Sequence, residues 1–233
     1  MLQIPKLNKY DLNFPDARNA SADGIIAWGG DLNPSRLLRA YREGIFPWYS
    51  KNDPILWWSP DPRFILELSD FKLRRSLRKS IHKFTYNIDT AFVEVMQHCA
   101  ATYREGQSGT WINDEMIESY EVLHSMQKAH SIETYYDGKL VGGLYGLSVG
   151  NVFCGESMFS HKSDASKAAL AVLIAHLKVW GYDFIDAQVP TAHLESLGAK
   201  EVSREDYLRR LAKNIVQENE IRWELDTQLI DKL

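Results

Sequence analysis

One twenty-residue stretch, G-I-F-P-W-Y-S-K-N-D-P-I-L-W-W-S-P-D-P-R at 44–63, constrains the fold more than any other part of the chain. It holds four prolines and three tryptophans. Each proline removes a backbone donor and fixes φ, so a regular helix is excluded. Three indoles in so short a span need burial. The stretch is therefore expected to be an irregular wall, held in place by its rings. A helix precedes it: Asn33 suits the cap and Pro34 the first helical position. Leu37, Leu38 and Tyr41 then share one apolar stripe, and Gly44 ends it. A boundary near Pro62 would divide a small N-terminal domain, 1–62, from a larger one, 63–233.

Beyond Pro62 the pattern is α/β. Residues 64–68 read as a strand, 72–83 as helical and 90–99 as an amphipathic helix. Asn113 caps a further helix, with Asp114 and Glu115 at its positive end. That helix presents Met116, Ile117, Tyr120, Leu123 and Met126 on one side. Three strands follow, 131–136, 140–149 and 152–158. Asp137-Gly138 is a strong hairpin turn between the first two, so an antiparallel meander is expected. Gly142, Gly143 and Gly146 suggest bulges or close backbone approach. Ser163 or Asp164 starts a strongly apolar helix that ends at Trp180-Gly181. A strand over 182–189, expected to run parallel to its neighbour, and a helix over 204–216 complete the pattern. The last fifteen residues have no assignment.

This order, a mainly antiparallel mixed sheet with meander, helix, strand, helix and strand, matches an α+β N-acyltransferase of the GNAT type by analogy. Enzymes of that fold cradle the CoA pyrophosphate with a glycine-rich loop at the central helix. Here the corresponding stretch, 160–167, has no glycine and carries Asp164. The scaffold suits acyl transfer from a carrier other than CoA.

Charge indicates which carrier. Lys72, Arg74, Arg75, Arg78, Lys79 and Lys83 lie between Phe71 and Lys83 with no acid among them. Without those six the net charge of −4 becomes −10. A solvated helix face and a phosphate-backbone contact both fit such a run. With 233 residues the chain makes one large domain or two small ones. Cys99 and Cys154 form no C-x-x-C pair, and no histidine shows zinc-type spacing. The longest apolar run, 168–175, is too short to span a membrane, and no apolar stretch follows Met1. A reduced, cytoplasmic protein without metal or cofactor is expected.

Two local patterns carry candidate chemistry. In F-C-G-E-S-M-F-S, 153–160, Glu156 shares parity with Cys154 and Met158. A buried carboxylate without a partner is costly, so Glu156 needs water or a partner; a salt-bridged Glu at a sheet margin is the plain alternative. Asp186 and Gln188 sit two apart on one strand and should share a face. An ion-paired Asp beside an exposed Gln would look the same.

The blocks GIFPW (44–48), DPILWWSPDPR (53–63), GTWI (109–112), AHSIE (129–133), LVGGLYG (140–146), FCGESMFS (153–160), ASK (165–167), DAQ (186–188) and SLGA (196–199) resemble those of leucyl/phenylalanyl-tRNA–protein transferases. The similarity covers roughly residues 10–212 in the family's order. It implies transfer of Leu or Phe, and Met less well, from aminoacyl-tRNA to proteins beginning with Arg or Lys. The product is a destabilising N-terminus for the N-degron pathway. The resemblance implies no metal and a cytoplasmic location; a monomer is expected.

By resemblance Asp186 and Gln188 are the catalytic pair. Asp186 would hydrogen-bond the acceptor α-amine, directly or through Gln188; Gln188 would donate to the oxyanion or relay the proton. Leu144, Phe153, Leu170, Leu173 and Ile185 would form the apolar slot for the donor side chain, although each also suits plain core. Glu156 would bind the donor α-ammonium or a ribose hydroxyl. Leu144 stands where the family has Met, and Leu173 where it has an aromatic residue. Trp48 and Trp111 are candidates to stack on the terminal adenine. Arg74, Arg75, Arg78, Lys79 and Lys83 would contact acceptor-stem phosphates. Three rivals fit parts of the pattern: an acetyl-CoA-dependent N-acetyltransferase, a peptidoglycan-type aminoacyltransferase and a non-enzymatic RNA-binding module.

Overall fold

Among its described residues the stretch at 44–63 forms no helix. The computed structural model, which describes residues 4–50, 53–102, 110–216 and 221–233, shows two short strands there. Lys51, Asn52 and Gly109, each part of a block singled out above, lie outside the described residues. The strands belong to a four-stranded sheet of β1 (Lys6–Leu7), β2 (Ile25–Gly29), β3 (Phe46–Pro47) and β4 (Leu56–Trp58), in the order β1-β2-β4-β3. The indoles do the pinning. Trp57 is fully buried and donates to the Gly29 carbonyl at 2.9 Å; Trp58 donates to the Trp48 carbonyl at 2.6 Å. Helix α1 (Pro34–Arg42) has the expected cap, with Asn33 accepting from the Ser35 N–H at 2.9 Å. Gly44 follows it at φ +76°, where a Cβ would stand 2.5 Å from Leu208.

The larger sheet has seven strands: β5 (Arg63–Glu67), β6 (Thr85–Ile88), β7 (Ala129–Tyr136), β8 (Lys139–Val149), β9 (Val152–Ser160), β10 (Phe184–Gln188) and β11 (Lys200–Val202). Their order is β11-β5-β10-β9-β8-β7-β6. The β7–β8–β9 meander is antiparallel as expected, turning at Asp137 and Gly138, both at positive φ. Strand β10 is parallel to β9, as expected, and antiparallel to β5 on its other side. The helices are α2 (Arg75–Ile81), α3 (Phe92–Ala101), α4 (Asp114–Ser125), α5 (Ala165–Val179), α6 (Ala192–Ser196), α7 (Arg204–Asn214) and α8 (Thr227–Asp231).

Alternation along the strands sends side chains to two cores. On one face α3, α4 and α7 pack with the N-terminal sheet and α1; Tyr41, Ile45 and Trp57 share this cluster with Ile65, Phe92 and Tyr120. The buried apolar cluster therefore continues across Pro62. On the other face α2 and α5 pack against Phe64, Leu66, Phe153 and Ile185. Among the described residues no helix is long and apolar enough to cross a membrane.

Several boundaries differ from expectation. The basic stretch is helical only over Arg75–Ile81. Helix α3 starts at Phe92, because Thr90 hydrogen-bonds Glu133 and Asp89 sits at φ +60°. Strand β6 was not expected: its period-2 pattern spans only four residues. The unassigned C-terminus contains α8, and Ile221, Trp223, Leu225, Ile230 and Leu233 pack on the second core.

Candidate active site

Strands β9 and β10 pair only as far as Asp186 opposite Cys154. Past that point β9 follows β8 to Ser160. The register of β10 against β5 shifts between Asp186 and Gln188, and Gln188 takes φ +58°. Where the strands part, a cavity of about 520 Å³ opens. Leu144, Phe153, Glu156, Leu170, Leu173 and Ile185 all line it, together with Gln188, Trp48 and Trp111. Residues from the proline-rich wall, the three strands β8, β9 and β10, and α5 thus meet at one place. Phe46, Ser160, Ser166 and His193 line it as well; sequence reasoning had not singled these out.

A bulge aims Glu156. The β8–β9 register shifts so that Gly146 faces Gly155 and Tyr145 faces Ser157, leaving Glu156 without an opposite residue. Bulges of this kind redirect a side chain. The carboxylate accepts from the Tyr41 hydroxyl at 2.7 Å, the Tyr120 hydroxyl at 3.3 Å and the Gln188 side-chain amide at 3.3 Å. The two phenol oxygens are 2.6 Å apart. Among the described residues no Lys or Arg pairs with Glu156, so the salt-bridge alternative is replaced by a phenol clamp. Burial pushes the Glu156 carboxyl up to about 7. The Tyr41 and Tyr120 hydrogen bonds pull the other way, and the Asp186 charge adds to the rise. Burial, then the Glu156 charge, also drives both phenols well above their ordinary range.

Asp186 lies deeper. It is fully buried and does not line the cavity. Arg63 grips it in a fork, Nε to Oδ1 at 2.8 Å and Nη2 to Oδ2 at 2.6 Å. The Tyr207 hydroxyl donates to Oδ2 at 2.8 Å and the Gln188 backbone N–H to Oδ1 at 3.0 Å. These four N–H and O–H donors, with the Cys154 thiol beside them, occupy its two oxygens. Of the two expected routes to an acceptor amine, the direct one has no opening here; the connection to the cavity runs through Gln188. Arg63, Tyr41, Tyr120 and Tyr207 were missed. Arg63 closes the WWSPDPR block and Tyr120 sits in the apolar stripe of α4, so both positions were read only for structure.

The five cations expected to meet phosphate, Arg74, Arg75, Arg78, Lys79 and Lys83, are all exposed on and beside α2. None pairs with an acid among the described residues. Leu77 and Ile81 anchor α2 in the core that holds α5. Ser80 donates to Asp164 at 3.1 Å, just before α5, whose Ser166 lines the cavity. The cations thus stand beside the helix that walls the cavity.

A family model described as leucyl/phenylalanyl-tRNA protein transferase matches residues 65–212, and one for its N-terminal domain matches 30–61. The chain belongs to the leucyl/phenylalanyl-tRNA–protein transferase family. The family's protein from Sulfurimonas denitrificans is 65% identical over 225 residues, covering 95% of this chain and 97% of that relative. Those from Nitrosomonas europaea and Nitrosospira multiformis are 50% and 49% identical, covering 93% and 98% of this chain and 93% and 100% of theirs. Among solved structures, that of L-PGS from Bacillus licheniformis aligns over 64% of this chain and 48% of its own at 14% identity and TM-score 0.37, too weak a likeness to argue from.

Members of the leucyl/phenylalanyl-tRNA–protein transferase family are aminoacyltransferases, so this chain is an enzyme of that class and the binding-module alternative falls away. The larger match spans Glu156, Asp186, Gln188 and the α2 cations, and the smaller one spans Tyr41 and Trp48. Arg63 falls between the two, and residues 221–233 lie beyond both.

Proposed function

We propose that the enzyme transfers Leu or Phe, and Met less readily, from aminoacyl-tRNA to the α-amino group of proteins beginning with Arg or Lys. The product is marked for N-degron degradation. The observation that carries this reading is the meeting of an apolar slot, Glu156 and Gln188 in one cavity where β9 and β10 part. Strand β10 running parallel to β9 after the meander and α5 supports a GNAT-like aminoacyltransferase domain over 63–233, with 1–62 as a small N-terminal domain. A monomer acting in the cytoplasm completes the reading.

The donor is an activated ester, so the chemistry asks little. The acceptor nitrogen attacks the ester carbonyl, forming the C–N bond. The ester C–O bond breaks, and the departing ribose oxygen takes the proton that the amine gives up. An α-amine titrates at about 7.7–8.0, so a usable fraction is neutral near pH 7. Positioning and oxyanion stabilisation remain. Gln188 supplies the second: its side-chain amide donates but is neither acid nor base near neutrality. Glu156 as an anion holds the donor α-ammonium. Asp186 acts as a positioning residue, fixing the Gln188 backbone through its N–H. Trp48 and Trp111 stack on the terminal adenine. The α2 cations hold the acceptor stem without reading sequence.

The test is transfer of labelled Leu from Leu-tRNA to a peptide beginning with Arg, with Ala-tRNA, Ile-tRNA and a Gly-initiated peptide as controls. Leu transfer to the Arg peptide alone is expected. A combined R74E/R75E/R78E variant should raise the tRNA KM and flatten its salt dependence; a KM indifferent to both would remove α2 from the interface. Equal transfer to the Gly peptide would overturn the acceptor assignment.

Glu156 also sets a pH limb. Its pKa is raised on folding from 4.5 to about 7, so its contribution to stability is fully present below 4.5 and lost as pH rises through 7. The anion that grips the donor therefore forms over the same window in which the fold favours it less. Transfer should climb through about pH 7 in wild type. Glu156→Gln should lose that limb and keep the one due to the acceptor amine. An unaltered limb in the variant would assign the titration to another group.

A further inference from the structure

Residues 221–233 lie beyond both family models, yet they pack on the core that holds the donor slot. The indole of Trp223 stacks on the His130 imidazole, 3.8 Å between centroids and 3° between planes. His130 is itself buried and fixed by Asp89, whose Oδ2 is 2.7 Å from its Nδ1. The indole also reaches Phe153, with centroids 5.8 Å apart, while Trp180 and Tyr182 close around it at 4.8 and 6.2 Å. Phe153 is a slot residue and almost wholly buried. Gly146, paired with His130 across β7 and β8, leaves room for the ring: a Cβ there would stand 2.7 Å from two of its atoms. The Phe153 ring thus lies against a strand glycine and beside the tail's indole. Asp89, His130 and Trp223 form a rigid backing behind one wall of the slot.

We propose that Trp223 is a specificity-determining positioning residue, setting the depth of the donor slot through Phe153. The inference rests on the donor-pocket reading above. A slot that selects by size depends on a wall that does not yield, because dense packing transmits shape. Removal of the indole leaves a void behind Phe153 that neighbours fill only in part. The ring can then withdraw into it, and the slot deepens. A deeper slot favours the larger donor.

The first readout needs no transfer: affinity of the full chain for non-hydrolysable amide analogues of phenylalanyl- and leucyl-adenosine, measured by calorimetry. Trp223→Ala should raise the Phe-to-Leu affinity ratio about tenfold, the scale on which apolar pockets discriminate by size. Trp223→Phe, which keeps an aromatic plate, should restore most of the wild-type ratio. Leu233→Ala loosens the tail elsewhere on the same core; it should lower the melting temperature and leave the ratio alone. If Trp223→Ala does not fold, Trp223→Leu carries the same comparison. In transfer assays the change should appear in donor KM more than in kcat. A folded variant with the wild-type ratio would overturn the inference, as would an equal shift in Leu233→Ala. Wild type that bound neither analogue would remove the donor-pocket reading itself, and this inference with it.

Discussion

Arg63→Ala is expected to destabilise the fold by about 3–5 kcal/mol, the typical result of removing one partner from a buried ion pair. Asp186 would lose its charge partner and two of its donors in a dry site. Arg63 also holds the Gly44 carbonyl at 3.1 Å and lies over the rings of Phe46 and Tyr207, so the end of the proline-rich wall would lose its anchor too. Urea unfolding reads the effect as a lowered midpoint at unchanged slope. The double variant R63M/D186L removes the charges together. Buried pairs replaced by apolar groups of similar volume often match or exceed the original stability, so it should regain most of the lost midpoint. Its kcat should stay low, because the Gln188 N–H has lost the acceptor that helps fix that residue at φ +58°. Recovery of both stability and kcat would show that the pair serves the fold alone. Recovery of stability without kcat would separate a structural role from a positioning one.

Which parts of this arrangement were legible in the sequence follows from how local each signal is. The wall at 44–63 was readable because proline acts on its own backbone. The β7–β8 hairpin was readable because Asp-Gly fits a turn with two positive φ values. The apolar slot followed from resemblance; composition could not tell slot from core, since Leu170 and Leu173 occupy the same helix as plainly buried neighbours. The phenol clamp was illegible for a related reason. Tyr41 and Tyr120 fit the apolar stripes of their helices, and periodicity says nothing of where a hydroxyl ends. Glu156 was harder still, for its aim depends on a one-residue offset between β8 and β9. Arg63 and Asp186 are 123 positions apart, and only the pairing of β5 with β10 brings them together. The tail lacked both repeat and length: its helix has five residues, and its main contact is a single indole.

Gln188→Ala should lower kcat by about 10²–10³-fold, the cost of deleting one oxyanion donor, with donor KM little changed. The expectation rests on where the amide stands. Its nitrogen is 3.3 Å from Glu156 Oε1, a loose contact that can be exchanged for a stronger acceptor when charge develops on the ester oxygen. The backbone that presents it is in the left-handed region, which a non-glycine residue occupies only when its surroundings insist. That strain allows a second variant to separate geometry from chemistry. Gln188→Gly removes the same amide but meets no penalty at positive φ. It should be more stable than Gln188→Ala and equally slow. If glycine restored kcat, the alanine effect would belong to backbone strain. If both variants raised donor KM and spared kcat, Gln188 would hold the substrate in the ground state, and the oxyanion would need another donor. A shared loss in kcat alone is what an interaction made only in the transition state produces.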